Sequence, residues 1–240
     1  MASTIQKFLG SYSKLDGFLS KWFTDLDKKC SRNSDKQIKA SYYIWARYSI
    51  AIRSFRHLCE PQFLPDLYVI ARCCIEYDAS LLAVMEDQEA ATSYLEFEKH
   101  AKANYLKKFG NTIDKNEKKI YENNLASLGV KNLEDYKWTK WCVKQGGYSG
   151  LIEKYEGIGA TRLYFFLSGF AHSSVMAVKI LQNTANPHKS LLMVVELVYS
   201  CYLIGTKPFL DKALGPIITS DSEKCKGEFD EVIHSFRSRL

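Results

Sequence analysis

The chain has 240 residues, 46% of them hydrophobic and 25% charged, a balance that argues against a disordered or collagen-like protein and for a globular one. A net charge of +6 with a pI near 8.8 permits an anionic partner such as RNA or a nucleotide, yet surfaces of this charge are common on proteins that bind neither. Seven cysteines, scattered and without a C-x-x-C pair, argue against a disulfide framework or zinc knuckle and fit reduced thiols in a cytoplasmic protein.

From the N-terminus, MASTIQKFLGSYSKL lacks an apolar core of signal-peptide length. Thr4 to Lys29 instead places Tyr12, Leu15, Leu19, Trp22 and Leu26 at three- and four-residue steps, the stripe of an amphipathic helix. The SRNSD break follows, with Ser34 as the expected cap of a second helix. That helix should carry Tyr42, Trp45, Tyr48, Ile52 and Phe55 on one face and end near Glu60, before Pro61. Pro65 opens a third, DLYVIARCCIEYDASLLAVMED, apolar on most sides and therefore buried, with Arg72 and Glu76 one turn apart inside it. Gln88 to Phe109 reads as a fourth, more polar helix ending at Gly110.

Residues 111–148 change composition and read as a protruding helical insertion. Trp138 and Trp141 lie there among Lys137, Lys140 and Lys144. That pattern suits either stacking on nucleic acid or docking of an amphipathic helix into the core, and docking is the simpler expectation. YEGIGA reads as a linker, and GIGA is no phosphate loop because it lacks the G-K-[ST] ending. A central buried helix is expected from Ala160 to Leu181, then a turn at QNTANPH. Another buried helix starts at Pro187 and should stop at Pro208 and Pro216. Ser220 or Asp221 should cap a last helix, with 232–240 a frayed tail. Neither long apolar run reaches the ~20 residues of a membrane span, so no membrane insertion is expected. The fold class is all-α: one domain over 1–240, a helical bundle of about eight helices around a buried central helix.

On the central helix Tyr164, Ser168 and His172 stand at i, i+4 and i+8 and share a face. Histidine there could act as a general acid or base near neutral pH, and a core histidine satisfied by a neighbour would look the same. Arg72 could clamp a phosphate while Glu76 orients His172, or the two could be a structural ion pair. Two polar islands in two apolar helices are most easily explained if they face each other. Arg72, Glu76, Tyr164, Ser168 and His172 are therefore the candidate catalytic residues. No cofactor or metal is expected, since His57, His100, His188 and His234 are isolated and His172 has no ligand at metal spacing on its own helix.

These residues also carry a resemblance. R-x-x-x-E on a buried helix, a Tyr-rich charged helix SYLEFEKHAKANY, a variable middle, then Y-x-x-x-S-x-x-x-H followed by Ser173 resembles a bacterial family of helical proteins catalogued as a domain of unknown function. The resemblance runs roughly from Leu67 to Leu181 and leaves out the first two helices and the last two. More distantly, the helical build with a late histidine helix is similar to HEPN domains, which act as RNases in toxin–antitoxin and phage-defence systems. Those RNases carry Arg and His at an intermediate spacing that this chain does not match: nine residues separate Arg162 from His172, and three separate Arg53 from His57. The resemblance implies a defence or toxin-like protein directed at RNA or a nucleotide. The rival expectation is a non-catalytic module that binds a protein partner or a second copy through its amphipathic helices.

Overall fold

Apolar positions recurring at helical spacing become helices throughout the part of the chain that a computed structural model describes, residues 2–96, 114–128, 137–171, 186–215 and 220–237. In order these are α1 (Ala2–Cys30), α2 (Lys36–His57), a 3-10 turn (Pro61–Phe63), α3 (Leu64–Glu86) and α4 (88–96). After them come α5 (Lys115–Leu128), α6 (Lys137–Lys144), α7 (Gly147–Ala171), α8 (Pro187–Leu214) and α9 (Ser220–Arg237). No strand occurs among the described residues, and the protein is an all-α bundle.

The most apolar helices take the middle. α3 packs against α2, α7 and α8, while α1 lies against α2 and α9. Trp45 of α2, fully buried, stacks between Phe23 of α1 and Phe209 of α8, with ring centroids 5.5 and 5.2 Å away. Tyr48 meets Tyr202 edge-on at 4.9 Å. Each such ring contributes about 1.5 to 3 kcal/mol by leaving water. The aromatic face expected on the second helix is thus the seam joining α1, α2 and α8.

Several boundaries differ from the sequence-based expectation for local physical reasons. The cap of α2 is Asp35 and not Ser34: its carboxylate accepts from the backbone N–H of Gln37 at 2.7 Å and of Ile38 at 3.3 Å. The helix ends at His57, and Asp87 caps α4 in the same way as Asp35 caps α2. YEGIGA is no linker. The chain stays helical from Gly147 to Ala171 and bends at Gly157, whose φ of 84° is the left-handed region that glycine alone enters freely.

α8 runs through Pro208 to Leu214. Pro208 and Ile204, one turn before it, both lie on the exposed face, so the carbonyl that loses its N–H partner there is on the solvent side. By length and composition α8 could cross a membrane, and 56% of its most apolar window is buried inside the fold. The last helix continues to Arg237 with Val232 and Ser235 buried, so the stretch expected to fray is packed at least that far. Ser220 and Asp221, expected as its cap, are instead the first two residues of the helix itself.

Of the insertion, α5 and α6 are described. Trp141 is 3% exposed and its indole N–H donates to Asp87 at 3.1 Å, which is docking into the core. The side chain of Trp138 lies outside the described residues.

Candidate functional site

Arg72 and Glu76 are presented on one face of α3 because they are four residues apart, and their side chains close an ion pair, Nη2 to Oε1, at 2.8 Å. The facing helix is α7 beyond its bend. There Tyr164 and Ser168, again four apart, point at the pair. Arg72 Nε donates to Ser168 Oγ at 3.1 Å and Nη2 donates to Tyr164 Oη at 3.2 Å. Tyr164 Oη donates to Glu76 Oε1 at 3.0 Å, and Ser168 Oγ donates to the backbone carbonyl of Tyr164 at 2.7 Å. The guanidinium also lies 5.2 Å from the Tyr164 ring centre, a cation–π distance.

Four of the five residues singled out from sequence therefore meet in one network across the α3–α7 seam. His172, one turn beyond Ser168 in sequence, lies outside the described residues. Each hydrogen bond to a charged group contributes about 1.5 to 3 kcal/mol when buried, less where water competes. Here the Arg72 and Glu76 side chains are 22% and 18% exposed, so the network is half-buried, with an edge that solvent reaches.

The electrostatics follow. Burial pulls the Arg72 guanidinium down, but its bond to Tyr164 and the Glu76 charge outweigh this and raise it above its ordinary value, so it is a permanent cation. Burial is also the main reason the Tyr164 phenol is raised, with the Arg72 bond opposing and Glu76 adding. Tyr164 is thus a neutral hydrogen-bond relay between the two charges. Arg72 engages Nε and Nη2, and its Nη1 amino group has no partner among the described residues. A guanidinium carries five N–H donors, and the two on Nη1 are the ones not engaged by the described residues.

The central helix is less buried than its composition implies. Tyr164, Leu167 and Phe170 face inward, whereas Phe165 and Phe166 are 62% and 41% exposed. Among the described helices α7 packs mainly on α3 and α6, whereas α3 packs on α2, α7 and α8 together.

One polar group on the same two helices escaped the sequence reading. Asp78, two residues after Glu76, points into the core beside Glu156 of α7 and Cys201 of α8, with one potential ligand atom of each within 4.8 Å of the others. The signal available was a carboxylate inside the apolar run IEYDASLLAV. Spacing alone does not connect it to a partner, because Asp78 is on a different face from Arg72 and Glu76 and its neighbours come from distant parts of the chain.

Compared with known proteins, residues 39–187 match a family of unknown function, DUF5677. No curated protein and no solved structure matches the chain.

Proposed function

The chain belongs to the DUF5677 family, whose match covers more than half of it, and from that premise we propose that the α3–α7 network is a recognition site for a phosphate-bearing ligand, an RNA or a nucleotide. The observation that carries this reading is the part-exposed Arg72, held on one side by Glu76, Tyr164 and Ser168 and with its Nη1 edge unengaged among the described residues. The Nη1 amino group keeps two divergent N–H donors, and one of them can meet a phosphate oxygen while the rest of the cation is held in place. The neighbours that hold the rest of the group reduce the entropy lost on binding.

In this reading Arg72 clamps the phosphate, Glu76 fixes the guanidinium plane, Tyr164 and Ser168 position both, and His172 is the acid or base of any cleavage. Placement in a bacterial defence or toxin-like system rests on the distant HEPN resemblance alone. The test is binding and cleavage of an RNA oligonucleotide, and binding of ATP, by the full chain. Arg72→Lys keeps the charge and loses the fork, and is expected to weaken binding about tenfold. His172→Ala is expected to abolish cleavage while binding persists. Undiminished cleavage by His172→Ala removes the enzymatic reading.

A second reading has its own observation. Within the network Tyr164, Ser168 and Glu76 all have partners, as a structural lock between two helices of an interaction module would require. It predicts that Glu76→Ala lowers the melting temperature and leaves activity per folded molecule unchanged.

A further inference from the structure

We propose that Asp78 on α3, Glu156 on α7 and Cys201 on α8 form a binding site for a divalent transition-metal ion of the zinc type. The three contribute a carboxylate oxygen, a second carboxylate oxygen and Sγ, all within 4.8 Å of one another. Zinc–oxygen and zinc–sulfur bonds of about 2.0 to 2.3 Å put tetrahedral ligands about 3.5 Å apart, within reach of small side-chain rotations. The ligands come from three helices that the bundle packs together, α7 and α8 both lying against α3.

Asp78 is fully buried, and among the described residues neither its oxygens nor Glu156 Oε1 has a hydrogen-bond donor beyond the contact of the two carboxyl groups with each other. Unpaired buried carboxylates are costly, and the protein ordinarily supplies an Arg, a Lys or several N–H groups. No cationic side chain is among the groups acting on Asp78 or Cys201. A fourth group points the same way from α2. Tyr48 is 0% exposed, its Oη has no hydrogen-bond partner among the described residues, and Asp78 is the foremost of the charges acting on it, with Cys201 and Glu156 also contributing.

The backbone also makes room. A Cβ on Gly205 of α8 would stand 1.9 Å from Asp78 Oδ1, so the carboxyl sits where only glycine's hydrogen lets it. Glu156 is half-buried and is followed by the bend at Gly157.

The donor set selects the metal. One thiolate with two carboxylates suits zinc and its neighbours, whereas calcium and magnesium take oxygen ligands in larger numbers. Three protein ligands leave a fourth tetrahedral position for water. Burial, and then Glu156, raises the Asp78 carboxyl well above its ordinary range, and burial, then Asp78 and Glu156, does the same to the Cys201 thiol. A dication reverses that repulsion. The thiol loses its proton to solvent as sulfur bonds the ion, so binding releases protons.

The site does not depend on the Arg72 network. Its test is titration of the full, chelator-treated chain with cobalt(II). One equivalent is expected to bind with a near-ultraviolet sulfur-to-metal band, to be displaced by zinc(II), and to raise the melting temperature. Cys201→Ala should abolish the band, while Cys73→Ser and Cys59→Ser should keep it. Asp78→Asn and Glu156→Gln should each weaken binding at least about tenfold. If a carboxylate variant fails to fold, Cys201→Ala still decides through the band. Substoichiometric binding, or a band that survives Cys201→Ala, overturns the site and leaves Asp78 and Glu156 as a carboxyl pair sharing a proton.

Discussion

Two polar clusters lie on the same pair of helices and differ in every respect that matters energetically. At the outer end of the α3–α7 seam, Arg72, Glu76, Tyr164 and Ser168 cancel charge with charge and bond one another, with an edge open to solvent. Asp78, only two residues on, faces Glu156 and Cys201 in the core, and among the described residues it has no counter-charge and only the Glu156 carboxyl as a hydrogen-bonding neighbour. A two-residue step on a helix turns a side chain to a different face, so neighbouring carboxylates of one helix can enter opposite environments. The difference teaches that a complete network is explained by its own members, whereas an incomplete one points to something further, here a cation.

Four measurements break or sharpen that contrast. The largest effect is expected from Gly205→Ala, which drives a methyl into Asp78 Oδ1. Overpacking of this kind costs about 3 kcal/mol, read by denaturant unfolding, and should also abolish cobalt binding. An unchanged midpoint would mean that the inner cluster is loosely held. Next, Glu76→Ala leaves the half-buried Arg72 cation and the Tyr164 hydroxyl short of their acceptor. About 2 kcal/mol is expected after allowing for exposure of the pair.

A smaller loss, about 1 kcal/mol, should follow Tyr164→Phe, because the Arg72–Glu76 pair survives without the phenol. A double-mutant cycle of Glu76→Ala with Tyr164→Phe tests whether the outer cluster acts as one unit, and simple additivity would show that it does not.

The fourth test reads a sign more than a size. In the metal-free chain Asp78 binds its proton more tightly folded than unfolded, since burial and Glu156 both raise it. Stability from this group is therefore complete below the ordinary aspartate value of about 3.9 and falls as pH rises above it. Asp78→Asn should flatten that fall, so the variant gains on the parent towards neutral pH in chelator. Saturating zinc(II) should reverse the order, because only the parent gains from binding.

The outer cluster was legible in the sequence because its members obey helix spacing. Arg72 with Glu76, and Tyr164 with Ser168, are i,i+4 pairs, and polar side chains isolated in apolar helices have to find each other. The inner cluster was not legible, since 78, 156 and 201 share no spacing and meet only through the packing of α3, α7 and α8. Boundaries failed where one side chain decides them. Asp35 took the cap through its carboxylate geometry, and Pro208 stayed in its helix because the affected face is solvated.

What the sequence by itself determined is the all-helical build and the inward stripe of the amphipathic helices such as α1 and α2, because hydrophobic periodicity is a local property that every turn repeats. Only the tertiary structure decided that α3 packs on α2, α7 and α8 together, and that the bend at Gly157 leaves Glu156 beside Asp78. Those outcomes depend on how whole helix faces fit against one another, and that fit is settled between residues far apart in the chain.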